Sequence, residues 1–138
     1  MSSIPCLANV SASPSQGPVF SQVGQSTVVV APQRYVYFPF TVPDPGAGTT
    51  YVRGRFQAQG GSGNDIAALV LGADDFINFQ NGHAYNAYYT SNGDVTVGDI
   101  NVGPLPPGTF YLVFSNIGSL MSNKVVTNNV QIEFSPSR

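Results

Sequence analysis

Few residues in this sequence are equipped to break bonds. It contains one histidine, His83, and one cysteine, Cys6. Nucleophilic catalysis needs a nucleophile, a base and a group that orients the base, and no Gly-x-Ser-x-Gly elbow or comparable motif surrounds either residue. His83 lies in the turn Asn81-Gly82-His83, where a solvated or backbone-bonded imidazole is a simpler reading than a catalytic base. Paired carboxylates run glycoside hydrolysis. The adjacent acids here are Asp74 and Asp75, and the single glutamate is Glu133 on the wet face of the last strand. Neighbouring acids in a loop ordinarily cap a turn through their side-chain oxygens. No catalytic residue is therefore assigned, and the chain reads as a non-enzyme.

Metal binding is nearly as restricted. Transition metals take clustered histidine or cysteine, which this chain lacks. Calcium takes oxygen alone. The weak candidates are Asp65, Asp74 and Asp75 with Asn64 and nearby carbonyls, provided that the loops flanking the intervening strand meet. No Asp-x-Asp-x-Asp-Gly loop backs this, so no cofactor other than calcium is entertained.

Binding chemistry is better supplied. Tyr51, Arg53, Arg55 and Gln57 alternate along one strand, and Tyr85, Tyr88 and Tyr89 accompany Asn86 in another stretch. Sugars stack on aromatic faces, and amides bond their hydroxyls. Tyrosine is also common in strands for packing reasons alone, so both readings stand. Tryptophan is absent.

The elements that hold these residues read as strands. Val36, Phe38, Phe40 and Val42 share one face, with Tyr35, Tyr37, Pro39 and Thr41 on the other. Pro39 cannot donate to a ladder, which sets this strand at an edge or a bulge. From Tyr51 to Gln59, Val52, Phe56 and Ala58 point inward. Asp65 to Leu71 is apolar on both faces, as in a central strand covered on both sides. Gly72 to Gly82 breaks the period, with Phe76, Ile77 and Phe79 tucked onto the core in a loop or short helical turn. Ala84 to Thr90 reads as an aromatic-rich strand. Ser91-Asn92-Gly93-Asp94 carries a hairpin signal. Val95 to Val102 reads as a strand whose inward phase shifts, implying a bulge near Gly98-Asp99. Gly108 to Phe114 and Lys124 to Phe134 are two long strands with alternating dry and wet faces. The expected fold is all-β: an antiparallel β-sandwich of about eight strands, of jelly-roll or Greek-key topology.

The segment from Gly108 to Phe134 resembles the closing part of GOLD-type β-sandwich domains, found in cargo receptors of the early secretory pathway. Gly108 to Phe114 match the family's Gly-Thr-aromatic-aromatic-Leu-Val-Phe strand, Asn116 its asparagine, Ser119 and Leu120 its loop, and Lys124 its lysine. Ser115 stands where aspartate is usual, Gly118 where an aromatic is usual and Asn123 where serine is usual. The strand is similar also to that of bacterial pre-peptidase C-terminal-type accessory domains. Both resemblances imply a non-catalytic accessory or interaction domain.

Composition bounds the rest. The chain of 138 residues has only 9% charged side chains and a formal net charge of −2. Scattered basic residues build no nucleic-acid footprint, and a weak net charge leaves self-association open. No run reaches the length of a membrane span, and the N-terminus has neither the basic nor the long apolar region of a secretory signal. Low charge and abundant asparagine favour an extracytoplasmic or secreted setting. Residues 1–25 read as an extended or flexible arm, in which Val19, Phe20 and Val23 are available to dock, and residues 26–138 as the sandwich. The main functional expectation is a non-catalytic interaction or assembly module, meeting a protein partner or another copy of itself through edge strands such as Ser26 to Ala31 and through the arm. The alternative is a carbohydrate-binding accessory module using Tyr51, Arg53, Arg55, Tyr85, Tyr88 or Tyr89.

Overall fold

The computed structural model describes residues 19–44, 48–60, 65–119 and 121–136. Ten strands and one helix follow in the order β1 (Val19–Gln22), β2 (Thr27–Val30), β3 (Tyr35–Val42), β4 (Gly48–Gln59), β5 (Ala67–Gly72), α1 (Ala73–Gln80), β6 (Tyr89–Thr90), β7 (Val97–Val102), β8 (Gly108–Ser115), β9 (Lys124–Asn128) and β10 (Gln131–Pro136). They form two antiparallel sheets, one in the order β1-β10-β4-β9-β2 with β7 on the other side of β4, and one in the order β3-β8-β5-β6.

The first sheet is simpler than its strand list. β4 faces β10 at Arg53↔Gln131 and β9 at Phe56↔Asn128, in one unbroken register. β9 and β10 are thus one long strand interrupted at Asn129 and Val130. β1 and β2 run along its far side, and the register slips by one residue between Gln22↔Gln131 and Thr27↔Thr127. Gly24 absorbs that slip with φ +70, the left-handed conformation a bulge glycine supplies at little steric cost. Counted as physical strands, four in this sheet face four in the other. Each sheet interleaves early and late strands, β3 beside β8 and β4 beside β9 and β10, which is the winding of a jelly roll.

Alternation decides what lies between the sheets. Phe40, Phe110, Leu112, Phe114, Val52, Phe56, Ala58, Val126 and Val130 are all buried in one cluster. Phe56 and Phe114 meet across the sheets with ring centroids 5.7 Å apart, and each such ring removed from water stabilises the fold by roughly 1.5–3 kcal/mol. A second, smaller cluster lies outside the second sheet, where α1 lays Phe76 on Leu69, Leu71 and Val113. Phe76 stacks on Tyr111 with ring centroids 4.0 Å apart. Hence β5 is apolar on both faces, and edge strand β3 tolerates Pro39.

Four local expectations are corrected. The strand expected over Ala84 to Thr90 is confined to Tyr89–Thr90, because the preceding residues fold back on α1: the Asn86 backbone N–H donates to Asp75 Oδ1 at 3.0 Å and Tyr85 packs edge-on against Phe79. No bulge occurs at Gly98-Asp99, since Val97 to Val102 stay in one register with β4. Gly98 itself takes the inward position, and any side chain there would meet the Phe56 ring. The outer face of β8, expected to be wet, is covered instead by α1, whose Phe76 packs on Val113 and Tyr111. Within the arm expected over residues 1–25, Val19–Gln22 pair with β10 and Val23 is buried. Residues 1–18 with Cys6, as well as Asn64 and Leu120, lie outside the described residues.

Candidate functional site

The two sheets differ in what they show to solvent. α1 covers the outer face of one. The other sheet keeps an open outer face, built by the odd-numbered positions of β4, β7, β9 and β10 and by Phe20, Gln22, Thr27 and Val29. Register sets its rows: Gln22, Gln131, Arg53 and Asn101 lie side by side, then Asn129, Arg55 and Asp99, then Thr27, Thr127, Gln57 and Val97.

Arg53 is fixed three ways. Its Nε donates to Asn101 Oδ1 at 3.0 Å, its Nη1 donates to Glu133 Oε1 at 2.8 Å, and its guanidinium carbon sits 4.4 Å from the centroid of the Tyr51 ring. Tyr51 in turn leans over Gly103, where an added side chain would collide with the ring. Arg55 donates from Nε to Asp99 Oδ1 at 2.9 Å, and both side chains stay two-thirds exposed, at 66% and 68%. That bond and the opposite charge hold the Asp99 carboxyl below its usual range and raise the Arg55 guanidinium above its own. Beside this pair is a depression of about 380 Å³ lined by Ser26, Thr27, Arg55, Gln57, Thr127 and Asn129. It forms where β9 gives way to β10. There the Arg55 backbone N–H donates to Asn129 Oδ1 at 2.7 Å, and Gly54 allows the backbone of Val130 to approach. The lining combines hydroxyl, amide and guanidinium groups with Phe56 and the carbon surface of its neighbours, and is more apolar than polar.

The structure brings Tyr51, Arg53 and Arg55 together as the alternation expects, and adds Asp99, Asn101, Thr127, Asn129 and Glu133 from neighbouring strands. Thr127 and Asn129 could have been found from the outward phase of the last strand; their juxtaposition with Arg55 needs the strand order. The second tyrosine group divides. Tyr85 and Tyr88 are exposed at the edge near α1, whereas Tyr89 turns toward the core. Burial raises the Tyr89 phenol above its usual range, with the negative charge of Asp99 adding to the effect.

The acids proposed for calcium are separated. Asp65 precedes β5 and accepts a 3.1 Å ion pair from the Lys124 ammonium, itself buried. Asp74 and Asp75 follow β5, in the first turn of α1, where carboxylates complement the helix dipole. Among the described residues no three His, Cys, Asp or Glu side chains group as metal ligands. His83 is exposed on the turn after α1, its backbone N–H donating to Asn78 O at 2.9 Å.

No protein-family model and no curated protein matches this chain. Among solved structures, one described as "CBM4 structure and function" superposes with a TM-score of 0.52 at 12% sequence identity, over 90% of this chain and 81% of that one. The chain therefore shares the β-sandwich fold of a carbohydrate-binding module. A β-sandwich is also what the GOLD-type and pre-peptidase-type resemblances imply, and those narrower labels rest on the closing strands alone. Among the described residues no helix is long and apolar enough to cross a membrane.

Proposed function

We propose that this chain is a non-catalytic carbohydrate-binding module that holds a glycan against the open outer face of the sheet containing β4. The observation that carries this reading is the depression beside Arg55, where hydroxyl, amide and guanidinium groups converge next to the Tyr51–Arg53 stack. Such groups exchange hydrogen bonds with sugar hydroxyls, and the Arg55–Asp99 pair and the Asn129 bond to the Arg55 backbone hold two of them before a ligand arrives, which lowers the ordering cost of binding. The fold-level likeness to a carbohydrate-binding module supports the reading, and an extracytoplasmic setting suits it. A glycan array identifies the ligand. Arg55→Ala is then expected to weaken binding about tenfold, the loss of one hydrogen bond to a charged group, while leaving the melting temperature nearly unchanged because its ion pair is exposed. An array without any bound glycan, or full affinity in both Arg55→Ala and Thr127→Ala, overturns the reading.

Assembly through β2 is the second reading. β2 is an uncharged edge strand with Val29 59% exposed, and a groove of about 590 Å³ separates it from edge strand β3, lined by Val28, Val29, Tyr35, Val36, Tyr37 and Phe38 among others. An unprotected apolar edge invites strand addition by another chain. Light scattering at two concentrations tests it: the mass should rise with concentration in the wild type and stay monomeric in Val29→Lys. A monomer at both concentrations sinks it.

A further inference from the structure

We infer a second saccharide subsite centred on Tyr88, away from the open face and built to take a single pyranose ring. It rests on the carbohydrate-binding reading and assigns that chemistry to another part of the molecule. Two clefts meet there, of about 300 and 290 Å³, and both are lined by Tyr88 and Asp75. Each is at the small end of the range for ligand pockets. They sit where the end of β5, the first turn of α1 and the start of β8 converge.

The Tyr88 ring is 47% exposed, yet it is not loose. Its ring meets that of buried Phe110 in a T-shaped contact, centroids 5.2 Å apart at 70°, and its backbone N–H donates to Val70 O at 2.9 Å. Pro106 and Pro107 also line the first cleft, and their rings restrict the backbone there. A rigidly backed aromatic face with open space beside it is a stacking platform for the apolar C–H face of a sugar. The polar partners are placed to match. Asp75 Oδ1 accepts the Asn86 backbone N–H at 3.0 Å, which orients that carboxylate within the cleft, and the exposed Asp74 lines the first cleft beside it. Two carboxylates accept from neighbouring ring hydroxyls, and the Asn86 side chain at the second cleft offers an amide that both donates and accepts. The depression on the open face is larger, about 380 Å³, and lies on the outer surface of a whole sheet. The two places therefore differ in size: the extended face suits a run of sugars, and the Tyr88 clefts suit one residue of a chain or branch.

The test is a two-dimensional NMR titration of the whole chain with the methyl glycosides of glucose, galactose, mannose and N-acetylglucosamine. The expected result is saturable shifts at the amides of Asp75, Asn86 and Tyr88 with at least one glycoside. Those shifts should weaken about tenfold in Tyr88→Ala, the upper range for loss of an aromatic contact, and persist in Arg55→Ala. Asp74→Ala, an exposed change that leaves the ring in place, should weaken them too. If array glycans bind and their binding depends on Arg55 while the Tyr88 region never shifts, the second subsite is wrong and the main reading survives. If no glycan or glycoside binds anywhere, both fall.

Discussion

Asn116 shows how much one side chain can hold. It is buried, and its Nδ2 donates to the carbonyls of Val30 at 3.0 Å, Ala31 at 3.2 Å and Ser122 at 2.8 Å. Its backbone N–H donates to Arg34 O, and its carbonyl accepts from the Gln33 N–H. The β2–β3 turn and the β8–β9 loop are thus tied through one residue. Asn116→Ala removes three donations and takes its donor from the buried Val30 carbonyl, at about 1–3 kcal/mol for a buried acceptor left unsatisfied, so chemical denaturation should show a loss of about 2 kcal/mol. A midpoint unchanged from wild type refutes that role. The site residue Asp99 allows a different measurement. Its carboxyl is held below the usual aspartate range by the hydrogen bond and charge of Arg55. A carboxyl lowered in the folded state contributes stability above its unfolded value and loses it as pH falls through the folded one. The Arg55–Asp99 pair is therefore constant at neutral pH and opens only in acid, below the range in which a free aspartate titrates. Carbon-13 titration of Asp99 should give a midpoint lower in the wild type than in Arg55→Ala; equal midpoints count against the pair. At this scale the sequence was only partly legible. Lys124 reads as a charged strand start, yet it is buried, its Nζ donating to Gly60 O and Asp65 Oδ1. Nothing near it in the chain announces those partners, which are about sixty positions away.

Among elements, legibility followed hydrophobic period. β3 and β4 alternate cleanly, and their inward residues are those the alternation names; β5 and β8 are buried on both faces because α1 covers the second. Where period failed, a glycine or an aromatic had been misassigned to a face. Gly98 carries no side chain to register as inward, so the phase of β7 looked shifted, although the Phe56 ring occupies the space Gly98 leaves. Gly98→Val is accordingly expected to cost about 1–3 kcal/mol by overpacking, and Phe56→Leu should recover part of that loss in a double-mutant cycle. Additive losses would separate the two positions. The stretch before Tyr89 failed for another reason: tyrosines favour strands on average, but Tyr85 finds Phe79 and Asn86 finds Asp75, and local side-chain contacts outcompete a ladder.

For the whole molecule, alternation told inward from outward but not which strand neighbours which, and so left jelly roll and Greek key undivided. The ladders decide it, and nearly all are remote in sequence: β1 with β10, β3 with β8, β4 with β9. Closing such long loops before any contact forms slows folding. Refolding from urea by rapid dilution is expected on the millisecond-to-second scale typical of sandwiches; completion within microseconds contradicts the topology. The candidate site shares this history. Arg55, Asp99, Thr127 and Thr27 arrive from four separate parts of the chain, so the face is complete only when its sheet is.

The helix laid over one sheet makes the domain a body with a front and a back. A glycan held as proposed would meet the domain on its open side, and the side carrying the helix of 8 residues would face away from it.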